Sequence, residues 1–210
     1  MNRVVFVQGY PGSGKSALSR GAVNDKIRLS DGKGLVHVSA GARVRAILAG
    51  QCESVYRESI KEERLAIESL RPPSPKLVFD VVNEAIQNAQ GTVIIDGFPR
   101  EMDLVHLLTH ADGRTLKVLG NLVIDVPSNV AMHRQLERIS VDGHPLTDIT
   151  VARRRIDEYD HGTSSVVEAV TERWGGIRID GDRPFSLVQR KFNTALLSLD
   201  ALTPAITLAV

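Results

Sequence analysis

Residues 9–16 read Gly-Tyr-Pro-Gly-Ser-Gly-Lys-Ser, three glycines and a lysine in eight positions, one residue after the apolar run Val4–Val7. They satisfy G-x-x-x-x-G-K-[ST] in a strand–loop–helix context, with Ala-Leu-Ser-Arg-Gly-Ala-Val following. The chemistry of such a run is polyphosphate binding. Gly9, Gly12 and Gly14, with Pro11 and Ser13 between them, let backbone N–H groups converge on phosphate oxygens, and the next helix adds the partial positive charge of its N-terminus. Lys15 reaches the β- and γ-phosphates, and Ser16 is placed to coordinate Mg2+. A second run, Ile94-Ile95-Asp96-Gly97-Phe98-Pro99-Arg100, ends an apolar segment on a carboxylate that can hold Mg2+ through its water shell. Gly97 and Pro99 make a sharp exit that leaves Arg100 near the phosphates. The first run specifies binding rather than activity, because ATPases, GTPases and small-molecule kinases share it. No guanine-reading N-K-x-D segment follows it.

These residues need strands to carry them. Short apolar runs recur at Val4–Val7, Leu35–Val38, Val93–Ile95, Leu122–Ile124 and Ile177–Ile179, separated by longer segments of helical spacing. That alternation predicts β–α units around a mostly parallel sheet, with ligands at the carboxyl edge of the strands. Asp96, Asp125 and Asp180 each follow a run directly, and only Asp96 has further motif support. Residues 40–71 are polar and helix-like and end in Arg-Pro-Pro-Ser-Pro, a hinge or boundary. Beyond it, Leu77, Val78, Val81, Val82, Ala85 and Ile86 predict the apolar face of another helix. Pro127-Ser128 opens a helix on which Arg134 and Arg138 share a face. Residues 140–148 read as a loop, and from Thr150 a further helix carries Arg153, Arg154 and Arg155. His37 reads as a structural group at a strand end, since no ligand spacing surrounds it.

The chain of 210 residues is long enough for one sizeable core. Twenty-six basic residues against 25 acidic ones leave a formal charge of +1, which gives no general attraction to nucleic acid or membrane. Nineteen of the basic residues are arginine, whose planar fork suits phosphate. Cys52 is the single cysteine, so neither an intramolecular disulfide nor a multi-cysteine metal site is available. The N-terminus carries no secretory pattern, and no apolar stretch reaches the length of a membrane span. A cytoplasmic, monomeric protein is the expectation.

Four stretches together resemble the adenylate kinase and UMP/CMP kinase family of nucleoside monophosphate kinases: GYPGSGKSA at 9–17, HVSAGARVR at 37–45, IIDGFPR at 94–100, and HRQLERI with VARRRIDEY at 133–139 and 151–159. The resemblance covers roughly residues 3–190. It implies a P-loop NTPase fold, α/β, with a parallel five-stranded sheet flanked by helices. The core would take 1–39, 76–138 and 151–192, with a monophosphate-binding insert at 40–75 and a short lid at 139–150. It implies ATP and Mg2+ as donor and metal, with Lys15 and Ser16 as triphosphate lysine and magnesium-coordinating hydroxyl, and Asp96 in the outer magnesium shell. Arg134, Arg138 and Arg155 fall on donor-side or transfer-site arginines. The acceptor side would be Ser39, Ala40, Gly41, Arg45, Gly97, Arg100 and Leu104, with Arg45 and Arg100 holding the acceptor phosphate.

The chain also departs from that family. Ser39-Ala40-Gly41-Ala42 lacks the usual acid at its fourth position, and Leu104 stands where the family reads the acceptor base with an amide. Glu101 and Asp103 are the nearby substitutes. In the lid, the usual glycine–arginine pair followed by two acids becomes Gly143-His144-Pro145-Leu146-Thr147 with Asp148 following. The leading expectation is phosphoryl transfer from ATP to a nucleoside monophosphate with altered base recognition. Alternatives are a kinase acting on a modified nucleotide or another small phosphorylated acceptor, and a non-catalytic nucleotide-binding regulator.

Overall fold

A computed structural model describes residues 1–64, 73–142 and 149–202, with backbone only for 138–142. Strand β1, Asn2–Gln8, is followed by helix α1, Lys15–Asn24, and β2, Leu35–Ser39. Helices α2, Ala40–Leu48, α3, Arg57–Glu62, and α4, Pro75–Gln87, lead to β3, Thr92–Asp96. Then come α5, Met102–Ala111, β4, Leu116–Asp125, α6, Ser128–Asp142, and α7, Ile149–Glu158. A π-helical turn, Tyr159–Thr163, joins α7 to α8, Ser164–Trp174; β5, Gly176–Asp180, and α9, Phe185–Leu202, complete the described chain.

All four strand pairings are parallel, in the order β2-β3-β1-β4-β5. Both faces of such a sheet must be covered, so β1 reads as a continuous apolar run whose alternate residues enter different cores. Val4 and Phe6 join Ile95, Phe98 and Leu104 on one face. Val5 and Val7 join Ile94, Leu122 and Phe192 on the other. Each fully buried side chain of this kind contributes roughly 1.5–3 kcal/mol relative to exposure. The chain reaches β3 on one side of β1 and β4 on the other, so the switch point lies at the carboxyl end of β1. The glycine-rich loop starts there.

A smaller cluster of Val44, Ile47, Ile60, Leu77 and Val81 holds α2, α3 and α4 together beside the β2 edge. Two carboxylates fasten this subassembly. Glu84 accepts from Arg43 at 3.1 Å, Ser54 at 2.7 Å and the Val55 N–H at 2.9 Å. Glu63 accepts from the Ser74 N–H and hydroxyl, both at 2.6 Å, so the residue before Pro75 is tied to the end of α3.

Two elements differ from their sequence reading. Strand β4 begins at Leu116, well before the apolar run at 122–124, because Lys117, Gly120 and Asn121 interrupt the pattern while the backbone continues pairing with β1. Helix α6 continues to Asp142, through the start of the segment read as a loop, since no glycine or proline stands before Gly143. The remainder of that segment, 143–148, which includes His144, lies outside the described residues. Among the described residues no helix is long and apolar enough to cross a membrane.

Candidate active site

The loop from Gly9 to Gly14 is shaped by close backbone approach. Gly9 has φ +133°, and a Cβ there would sit 2.4 Å from the Ile124 carbonyl oxygen; at Gly12, φ +89°, it would meet the Ala131 carbonyl oxygen at 2.4 Å. Only glycine fits either position. Gly14 caps α1, so the loop opens onto a helix N-terminus. Lys15 turns back into the loop, its Nζ donating to the carbonyls of Gly9 at 2.7 Å and Tyr10 at 2.6 Å, with the Ser13 hydroxyl at 3.3 Å. Burial, reinforced by the Arg100 guanidinium, pushes Lys15 down to about 7, against the pull of Asp96.

Asp96 ends β3, buried, in register with Ser39 of β2 and Val7 of β1. The His37 Nε2 lies 2.5 Å from its Oδ2. Burial works to raise the Asp96 pKa, but hydrogen bonds from His37, Ser16 and Ser39 outweigh it and hold the carboxyl below its ordinary range. Ser16 and Asp96 therefore meet, as their motifs required. Ser39 serves this carboxylate and does not line the larger cavity described next. The other two strand-end acids face elsewhere: Asp125 pairs with Arg178 at 2.9 Å and Asp180 with Arg183 at 2.7 Å.

Two cavities meet at the loop. The larger, about 430 Å3, is lined by Gly9, Pro11 and Lys15 of the loop, by Ala40, Gly41 and Arg45 of α2, by Gly97, Arg100 and Leu104 after β3, and by Arg155 of α7. It is of small-ligand size. Four cationic side chains, Lys15, Arg45, Arg100 and Arg155, face two carboxylates, Glu101 and Glu158. The Arg100 side chain is open to solvent, but the protein crowded around it and the neighbouring Arg155 both lower its pKa. Such mutual repulsion is relieved by a polyanion. The far wall is apolar: Leu104 is 3% exposed, beside Val44, Val78 and Phe98. Glu101 reaches this cavity, whereas Asp103 is exposed and does not line it.

The smaller cavity, about 250 Å3, lies on the other side of the loop and is lined by Ser13, Gly14, Arg134, Gly181 and Phe185 among others. Arg134 donates to the Gly181 carbonyl at 3.1 Å and pairs with Asp182 at 3.7 Å. The side chain of Arg138 lies outside the described residues. Every other candidate is thus at the loop, at Asp96, or in one of the two cavities.

Sequence reading missed a polar chain beneath the site. Gln8 Nε2 donates to the Pro99 carbonyl at 2.8 Å, and its Oε1 accepts from Asn121 Nδ2 at 2.8 Å, which also meets Thr171 at 3.0 Å. It fixes the exit that carries Arg100. The only signal was polar residues inside apolar strands, at Gln8 and Asn121.

A family model described as AAA domain matches residues 8–153, most of the chain. The chain is 26% identical to the uridylate kinase of Saccharomyces cerevisiae over 197 residues, covering 92% of this chain and 90% of that protein. It is 27% identical to an adenylate kinase of Porphyromonas gingivalis over 176 residues, covering 80% and 82%. In fold it is similar to a gluconokinase from Sinorhizobium meliloti 1021, with a TM-score of 0.59 at 12% identity, over 94% of this chain and 93% of that one. The match over residues 8–153 places the chain in the AAA-domain family, and the likeness to the uridylate and adenylate kinases over most of its length places it with the adenylate kinase and UMP-CMP kinase family.

Proposed function

We propose that the protein transfers the γ-phosphoryl group of ATP to the phosphate of a nucleoside monophosphate, giving ADP and a nucleoside diphosphate. The observation that carries this reading is that the glycine-rich loop lines two cavities, the larger of which gathers Lys15, Arg100 and Arg155. Arg134 and the glycine-rich loop hold the donor in the smaller cavity. Arg45 and Arg100 hold the acceptor phosphate. That phosphate is already a competent nucleophile, so no covalent intermediate is needed: a bond forms from its oxygen to the γ-phosphorus as the bond to the β-phosphate oxygen breaks. Catalysis then rests on alignment and on neutralising charge over the equatorial oxygens by Lys15, Arg100 and Arg155.

Mg2+ suits the Ser16 hydroxyl and the ionised Asp96 carboxylate, which are hydrogen-bonded to one another and offer hard oxygen donors. Ser16 would hold it directly and Asp96 through water, and when bound it neutralises charge on the β- and γ-phosphate oxygens.

Leu104 favours a second reading of the acceptor. Its burial in an apolar wall supports recognition of the distal group by shape, with Glu101 as a hydrogen-bond acceptor, rather than by an amide. A modified nucleotide or another small phosphorylated compound fits that wall. A coupled assay of ADP release over AMP, CMP, UMP, GMP, their deoxy forms and a panel of other phosphorylated acceptors tests both readings. A monophosphate that accelerates ADP release, with the activity lost in Lys15→Ala, is expected. No acceleration by any nucleoside monophosphate rejects the first reading. Preferential use of AMP counts against the second.

A further inference from the structure

Tyr10 occupies the second position of the glycine-rich loop, and nothing in the phosphate-binding pattern requires a large side chain there. Its two halves do different things. The backbone carbonyl accepts from Lys15 Nζ at 2.6 Å and from the Ser13 N–H at 3.0 Å, so it holds the loop lysine. The side chain leaves the loop, packs against the cluster of Val126, Ala131 and Ile156, and meets the Tyr159 ring at a tilt of 39° with centroids 4.1 Å apart. Its hydroxyl donates to the Asp160 carboxylate.

Tyr159 and Asp160 open the π-helical turn between α7 and α8. Such a turn carries an extra residue in the helical register, and π-turns of this kind recur at functional sites. Arg155, in the last turn of α7, stands four residues before Tyr159, and both line the larger cavity. The helix that carries Arg155 is therefore fastened, through its C-terminal turn, to the same residue whose carbonyl holds Lys15.

We propose that Tyr10, Tyr159 and Asp160 form a positioning latch that sets Arg155 over the loop lysine. This rests on the phosphoryl-transfer reading above for its kinetic consequence, but not for its mechanical one. The ring contact keeps the helix end against the loop, and the phenol–carboxylate bond fixes its rotation. Burial, helped by the bond to Asp160, pushes the Tyr10 phenol up to about 12, so it remains a donor through the neutral range. None of the three needs to touch the reacting atoms.

The test compares Tyr10→Phe, Asp160→Ala, Asp160→Asn and the double variant Y10F/D160A. Misalignment of one charge-stabilising arginine is expected to lower kcat about tenfold in Tyr10→Phe and Asp160→Ala, with the Kd for MgATP within about twofold of the parent. The double variant is expected to fall no further than either single one, and Asp160→Asn, which keeps an acceptor oxygen, to recover most of the loss. A purely structural role would instead lower melting temperature and nucleotide affinity together. Unchanged kcat in both single variants, losses that multiply in the double, or no rescue by asparagine would overturn the latch. If the parent protein transfers phosphate to no acceptor, the functional reading fails, and amide exchange across residues 159–163 decides the latch alone. It must then speed up in both Tyr10→Phe and Asp160→Ala, and unchanged exchange refutes it.

Discussion

Lys15 is the residue at which electrostatics and function meet most closely. Burial and Arg100 hold it near 7, far below its ordinary 10.5. Between those two values the unfolded chain binds the proton and the folded chain does not, so stability rises with pH across that window. Below about pH 7 both states are protonated and the burial cost is present in full. Lys15→Met is expected to flatten the rise, measured by urea unfolding from pH 6.5 to 10. A polyphosphate beside the ammonium favours its charged form, so nucleotide binding at pH 8 is expected to take up about half to one proton. Calorimetry in buffers of different ionisation enthalpy reads that number, and proton release would contradict the placement of phosphate at Lys15. Gly9→Ala tests the cradle from the other side. The added methyl would approach the Ile124 carbonyl at 2.4 Å, so at least tenfold weaker nucleotide binding is expected by titration.

At the scale of elements, the polar chain through Gln8, Asn121 and Thr171 ties β1, β4 and α8 to the Pro99 carbonyl. Asn121 is fully buried, and its Nδ2 donates to both Gln8 and Thr171. Asn121→Ala leaves Gln8 Oε1 buried without its donor, at an expected cost of about 1–3 kcal/mol, seen as a lower urea midpoint at unchanged slope. No change in midpoint would show that the chain carries no stability. These contacts mark the limit of what the sequence could disclose. The loop, β1, β3 and Asp96 were legible because their signals are local: an apolar run, a glycine spacing, a strand-end acid. Even Ser16 beside Asp96 followed from two motifs in known contexts. Gln8–Asn121 and Tyr10–Asp160 pair residues 113 and 150 positions apart, and no local pattern reports such a meeting. His37 was read as a strand-end structural group, but its carboxylate partner emerged only from the parallel register of β2 on β3. The early half of β4 was hidden for a different reason, since Lys117, Gly120 and Asn121 break its apolar run while its backbone pairs normally. Leu104 was visible as a departure, but its place in an apolar wall was not.

Across the whole molecule, stability is unevenly distributed. The two sheet faces carry large clusters, one of which α4 joins through Val82, Ala85 and Ile86, while α2 and α3 are held to α4 by a small cluster of five buried apolar side chains and the two carboxylate clasps. Ile60→Ala in the small cluster is expected to cost about 2–5 kcal/mol, and its effect on amide exchange should be strongest in α2 and α3. Equal acceleration in β1 and β3 would instead show one cooperative unit. The larger cavity is lined by the ends of β1 and β3 and by α2 and α7, with the glycine-rich loop at the seam. Direct transfer across that seam is the central claim. With γ-labelled ATP, Mg2+ and each candidate acceptor, label should appear in a nucleoside diphosphate at one equivalent per ADP formed, and Arg100→Ala should abolish it. Label found only in free phosphate, or retained on the protein, would contradict direct transfer.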